Sequence, residues 1–533
     1  FLNNLQMFDA TAKPPSGILS GNVNQYGDFD ECLGIDEAVR GKYCLASLQV
    51  NIGGEKGHDH LDYLIHSGHY LRSNVTDMGH RLPRYSSILW GVCIPSSCSS
   101  FDLEDELSYK LSGLDISVRV QNTMCTVKDV KRPYSFGKTI ILLLSLGTML
   151  DDGKEGGTNF EKLLNAFSLK RNLRKVFDLT DSPTRVKGVD AFRGLNALAL
   201  LLAHKSMAMA HNPYVNKTSF SEVFGMPWAV VGRSAIVYTD SFLYLSGFLN
   251  AHNLLQELER KGTIDMKNRL LARWFRLFPL FLSIMLFCTY ILPDVNNGPQ
   301  WNLVVEEHSR VCQKNMWKSF LFIHNYFGFE EMCLTHTHQI GMDMQLYVAT
   351  LPLMLLLWKF RTAGLALILG VATASTVLRY LFSKQTDTNN IILLFFSVQK
   401  LLDAARYSYI LPTHRATIYL IGVIMAYFIK SKRSLWFHFK ITFFNKIAYG
   451  VYLTQFPVFF YNVGIQRHAE HYTPFLLVTV FLISIVATVA VEMPFNQVYR
   501  IYFGNYPLTV MNVCTYLLKD KNNIFFQENH RRN

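Results

Sequence analysis

The chain has 533 residues, 50% of them hydrophobic and 14% aromatic, and carries a formal net charge of +12. A soluble protein of this length splits into two or three domains with apolar residues spread through each. Here residues 1 to 133 are polar with ordinary turn signals, whereas from Lys138 onward long apolar runs alternate with short basic loops. The positive charge therefore belongs to loops between membrane spans, and nucleic acid is not an expected partner.

The chain opens at Phe1 without a basic-then-apolar leader. If its first domain lies outside the cytosol, a signal peptide has been removed. Five of the nine cysteines, Cys32, Cys44, Cys93, Cys98 and Cys125, fall in this domain. The segment GVCIPSSC, with Pro95 and a serine run, suits a turn pinned by disulfides. No Cys-x-x-Cys pair occurs in the sequence, so no metal site is expected. An odd count leaves one cysteine over, either paired with a cysteine upstream of Phe1 or present as a free or intermolecular thiol.

About nine spans follow, near 136–150, 189–209, 230–251, 275–293, 338–358, 364–382, 414–429, 445–463 and 475–497. The first holds about 15 residues and the seventh is also short, against roughly 20 needed to cross a bilayer. The segment 383–413 reads as a loop or re-entrant piece. Three features orient the chain. Lysines and arginines cluster at 162–187, 260–276, 359–361 and 430–446, all on one side by alternation, which is then cytosolic. The sequons at Asn74 and Asn216 fall on the other side, as glycosylation requires. So do the N-terminal cysteines and the pair Cys312 and Cys333, which suit an oxidising lumen. The N-terminus is thus expected to be lumenal or extracellular and the C-terminus cytosolic.

The expected fold is mainly α. A small disulfide-rich, mostly helical lumenal domain (1–133) precedes a first span (134–152), a cytosolic linker (153–187), a transmembrane domain (188–500) and a cytosolic tail (501–533).

The run GVDAFRGLNALALLLAHKSMAMAH places Arg193 at the mouth of the second span and His204 inside it. Eleven residues of helix separate them by about 16 Å. An ionisable side chain at the centre of a span costs about 2.5–3.5 kcal/mol, so such residues face a cavity or the bundle interior. A histidine bonded to a neighbouring helix is the bland alternative. Adjacent helix positions point about 100° apart, so Lys205 need not share the surroundings of His204.

The stretches MFDATAKPPSGILSGN, GDFDECLGI, GKYC and GVCIPSSC resemble the N-terminal domain of the nose-resistant-to-fluoxetine family, which joins a disulfide-rich domain to an acyltransferase-3 membrane domain. Arg193-x10-His204 resembles the first acyltransferase helix of that superfamily. In the same order follow SFLYLSGFL, RLLARWFRLFP with Arg273-x-x-Arg276, CLTHTHQIGMDMQLY, RATIYLIGVIMAY, YGVYLTQFPV and VEMPF, so that the resemblance covers nearly the whole chain. It implies a six-cysteine domain with one cysteine upstream, and membrane O-acyl transfer from acyl-CoA to a hydroxyl acceptor. Acyl-CoA would be a cosubstrate, with no bound cofactor. Histidine titrates near physiological pH and can serve as the base, which makes His204 the catalytic candidate. Asp343 would orient it or bind the acceptor. Guanidinium groups bind phosphate through paired hydrogen bonds, which makes Arg193, Arg269, Arg273 and Arg276 donor-binding candidates, with plain positive-inside topology as their alternative. His336 and His338 read first as loop residues and second as acceptor contacts. Tyr452 and Gln455 are candidates for the same cavity, and Glu492 is expected to pair with a basic residue. The chain departs from the resemblance in Lys205, and in having only KSKRSLWFHFKITFFNK where two further spans are expected. That departure keeps open a second reading: a non-catalytic carrier of lipid, sterol or small molecules built on the same bundle. Membrane lipids are expected partners in either case, and the expected location is the endoplasmic reticulum or plasma membrane.

Overall fold

The computed structural model describes residues 2–36, 39–50, 88–114, 116–128, 159–178, 187–209, 211–386, 404–429, 442–469 and 478–503. In the N-terminal part, GKYCLASLQV and ILWGVCIP are rich in aromatic and aliphatic residues and pair as antiparallel strands β1 (Gly41–Val50) and β2 (Ile88–Pro95). Strands β3 (Ile116–Arg119) and β4 (Cys125–Val127) share the other edge of β1. Helices α1 (Leu2–Ala10), α2 (Phe29–Gly34) and α3 (Ser100–Leu111) accompany this sheet. Ser99 and Asp102 start α3 by capping each other's backbone N–H groups. The mostly helical domain expected from sequence is therefore corrected: a four-stranded sheet organises it.

Two disulfides tie the sheet to its surroundings, Cys32–Cys93 from α2 to β2 and Cys44–Cys125 across β1 and β4. Cys98 is the odd cysteine, with no disulfide partner among the described residues. Tyr26, Phe29 and Tyr43 fill the core between α2 and β1, and the Tyr43 hydroxyl donates to the Tyr26 carbonyl at 2.7 Å.

The rest is helical: α4 (Asn159–Ala166), α5 (Leu169–Phe177), α6 (Lys187–Met209), α7 (Lys217–Gly225), α8 (Ala235–Lys261), α9 (Met266–Tyr290), α10 (Glu307–Phe320), α11 (His338–Lys359), α12 (Arg361–Thr386), α13 (Pro412–Ile429), α14 (Thr442–Gly464), α15 (Val478–Ala487) and α16 (Met493–Phe503). Among the described residues, four stretches are long and apolar enough, by length and composition, to cross a membrane: Met266–Tyr290, Thr335–Lys359, Arg361–Gln385 and Thr479–Phe503. The last contains a π-helical turn, Thr488–Glu492, between α15 and α16. Four more expected spans fall on α6, α8, α13 and α14, while 136–150 lies outside the described residues, as do Asn74, residues 387–403 and the tail from 504. The span expected at 230–251 is broken near Ser234, and α8 then continues to Lys261.

α8 packs against α6, α11 and α13, while α14 packs against α6, α9 and α15. The closest approach joins α8 to α13. A methyl group at Gly247 would overlap the Tyr419 carbonyl, and one at Gly422 would overlap the Tyr244 carbonyl and the Phe248 nitrogen. Small residues let membrane helices approach in this way. The polarity is inverted relative to a soluble protein: α12 exposes Leu367, Val371, Leu378 and Leu381, while His204, Gln339, Arg415 and Gln455 are buried.

The N-terminal domain sits on one end of this bundle. Gln300, fully buried, donates to the Tyr26 hydroxyl and to the His211 carbonyl. Arg467 reaches Asp30 at 2.9 Å and lies over the Phe29 ring, and Asn302 donates to Thr126 at 3.0 Å.

Candidate functional site

His204 lies on α6 five residues before its end at Met209, near the end of the bundle that carries the N-terminal domain. Leu200, Leu201 and Ala203 are buried around it, and the imidazole is only 8% exposed. Its ring packs on Phe456 of α14 at 4.8 Å, with Gln455 in hydrogen-bonding reach. Lys205, one position further, turns to another side and lies over the Phe459 ring. Arg193 is partly exposed, eleven residues back along the helix.

The turn Thr335–Thr337, just before α11, approaches the same place. His336 stacks on the opposite partner of this contact, the Phe456 ring, at 4.7 Å, and meets Tyr452 edge-on at 5.4 Å. The Tyr452 hydroxyl donates to the His336 carbonyl, which fixes the turn against α14. His338 follows, its Nδ1 on the Thr335 carbonyl at 2.9 Å and its ring 5.0 Å from Tyr409. Read first as loop residues, His336 and His338 are buried side chains of the bundle interior, 4% and 7% exposed.

Asp343, one turn and a half further along α11, does not meet His204. It pairs with Arg273 of α9. Arg273 also donates to Asn250 at 3.0 Å and Ser246 at 3.1 Å on α8, and lies over Tyr347. Arg269 pairs with Glu257 at 2.6 Å. Arg276 faces the carboxylate of Glu492, which sits in the π-helical turn. Insertions of this type widen a helix and recur at functional sites. The arginines thus divide: two are engaged by carboxylates of neighbouring helices, and Arg276 lies near a third.

A charged cluster escaped the sequence reading. Arg415, fully buried at the start of α13, pairs with Asp240 of α8, stacks on Tyr409 at 4.5 Å, and donates to Thr239 at 3.3 Å. The signal was available as an arginine opening the apolar run RATIYLIGVIMAY. Through Tyr409 and His338 this cluster adjoins the histidines. Asn216 stands at the start of α7, partly exposed. Cys312–Cys333 closes the loop between α10 and α11.

A helical membrane bundle with a buried polar interior and a disulfide-bonded domain on one end is the architecture of an acyltransferase-like membrane protein. Residues 2–107 match the nose resistant-to-fluoxetine protein N-terminal domain, and residues 186–444 match the acyltransferase domain. The two matches thus join a nose resistant-to-fluoxetine N-terminal domain to an acyltransferase domain in one chain. It is 22% identical over 496 residues to nose resistant to fluoxetine protein 6 of Caenorhabditis elegans, covering 80% of this chain and 58% of that protein. It is 26% identical over 231 residues to regulator of hypoxia-inducible factor 1 of the same organism, covering 41% of this chain and 43% of that one. The chain therefore spans about half the length of the curated relatives it matches. No solved structure matches it.

Proposed function

We propose that this protein transfers an acyl group from acyl-CoA to a hydroxyl acceptor at the membrane, with His204 as the general base. The observation that carries the reading is the buried imidazole of His204, held inside the bundle on the helix that also bears Arg193. The neutral ring takes the proton of the acceptor hydroxyl. The oxygen attacks the thioester carbonyl, the C–S bond breaks, and the imidazolium returns its proton to the departing CoA thiolate. Ester and free CoA are the products, and no oxidant or metal enters the balance.

The donor would approach from the end of the bundle opposite the N-terminal domain, the end toward which α6 begins with Arg193 and α9 with Arg269, Arg273 and Arg276. Phosphates binding Arg269 or Arg273 must compete with Glu257 and Asp343. Asp343 then acts on the donor side, by holding Arg273, rather than on His204. In this reading the bundle has nine spans, its N-terminal domain is lumenal or extracellular, its C-terminus is cytosolic, and Asn216 is open to glycosylation.

The test is CoA release from acyl-CoA by the purified protein in detergent, wild type beside His204→Ala. Wild-type release, with the variant folded but reduced by about a hundredfold or more, is expected for loss of a general base. Absence of release in both, with lipid still bound, sinks the enzyme and leaves the carrier.

A further inference from the structure

His204 is not the only imidazole buried at this place. His336 packs on the same Phe456 ring, so the two imidazoles are no farther apart than the two ring distances, 4.8 Å and 4.7 Å, laid end to end. They interact electrostatically, and His338 lies within the same range. Neither ring nitrogen of His336 has a hydrogen-bond partner among the described residues; the Leu453 backbone is near but outside hydrogen-bond geometry. Nε2 of His338 and Oε1 of Gln339 are likewise buried without a partner among the described residues, whereas His204 and Gln455 lie within reach of each other.

Buried polar atoms are almost always hydrogen-bonded, and each one left alone costs about 1–3 kcal/mol. One such atom is tolerable. Four, contributed by the start of α11 and the turn before it, describe a place built for something that supplies donors and acceptors together. An apolar cargo would leave all four unsatisfied, whereas a hydroxyl both donates and accepts. The aromatic rings of Phe456, Tyr452 and Tyr409 close the remaining sides.

The geometry points to His336 as the residue that holds the acceptor hydroxyl beside His204. This rests on the acyl-transfer reading and adds the acceptor side of its site. Neutral imidazole presents one N–H and one bare nitrogen. His336 can thus anchor an alcohol at two points, while His204 takes the proton of the attacking oxygen. Its stacking on Phe456 fixes the ring plane, and the Tyr452 bond fixes its backbone. Water, being small and abundant, reaches His204 without such an anchor. The two reactions of the site, transfer to an alcohol and hydrolysis, therefore depend differently on His336.

The experiment measures how butyryl-CoA partitions between glycerol ester and free butyrate, at molar glycerol, in wild type, His336→Phe, His336→Gln and His204→Ala. The Phe variant keeps the stack and removes both nitrogens. Expected is a fall in the ester-to-acid ratio of about tenfold or more, the effect of one or two lost hydrogen bonds. His336→Gln, which returns a donor and an acceptor, is expected to restore most of the ratio, and it carries the test if the Phe variant elutes as aggregate. An unchanged ratio in the folded variants overturns the assignment. So does a total release that falls to the His204→Ala level, or a wild type that releases CoA but forms no glycerol ester. A wild type that releases no CoA at all overturns the acyl-transfer reading instead.

Discussion

Replacing Asp343 with Asn removes a charge from inside the bundle and keeps its shape. Arg273 would then retain two neutral partners, Asn250 at 3.0 Å and Ser246 at 3.1 Å, and the Tyr347 ring. At an effective dielectric of about 20, a charge pair near 4 Å is worth about 4 kcal/mol. Removing one member of a fully buried pair costs about 3–5 kcal/mol, because the survivor stays desolvated. The side chains here are 14% and 19% exposed, which places the expected loss near the lower limit, about 3 kcal/mol. For a large bundle this corresponds to a fall in Tm of roughly 5–10 °C. Thermal unfolding in detergent, followed by size-exclusion of the heated protein, reads the shift for Asp343→Asn, Arg273→Met and the double variant Arg273→Met/Asp343→Leu. The double variant is expected to lose less than either single one, since no lone charge is left behind. If the two losses simply add, or if Asp343→Asn leaves Tm within a degree of wild type, the pair is not what holds α9 to α11.

Gly422→Ala pushes a methyl into the Tyr244 carbonyl and the Phe248 nitrogen; a loss of about 1–3 kcal/mol is expected, against a near-neutral Gly370→Ala, where nothing lies within 4 Å. Reducing Cys44–Cys125, whose cysteines are 81 residues apart, releases about 4.5 kcal/mol of loop constraint in the chain-entropy limit, and limited proteolysis should then cut the N-terminal domain. His211 follows α6, and its removal from water lowers its pKa to about 4, with the charge of nearby Lys217 a smaller contribution and the Met207 and Ala208 backbone opposing. Its folded pKa lies below the unfolded value of about 6.5, so its contribution is intact above that pH and fades as pH falls toward 4. The Tm difference between pH 7.5 and pH 5 should shrink in His211→Asn.

The long apolar runs made the helices legible, because a span must satisfy its own backbone and fill itself with apolar residues. His204 was legible for the complementary reason: an ionisable residue in such a run stands out. Pairings between helices were not. Nothing local marks that Asp343 reaches Arg273 rather than His204, since both lie on other helices and their meeting is set by crossing angles. His336 and His338 looked like loop residues because they precede the apolar run of α11, yet the turn folds inward on Tyr452. The sheet was masked by short strands among cysteines and turn residues, with β3 only four residues long.

The N-terminal domain shares its boundary with the catalytic candidate through a short relay: Tyr26 to Gln300, Gln300 to the His211 carbonyl, His211 to Phe460, and Phe460 to the Phe456 ring beneath His204. A substitution at Tyr26 or Gln300 therefore withdraws support from the Phe456 ring without touching it.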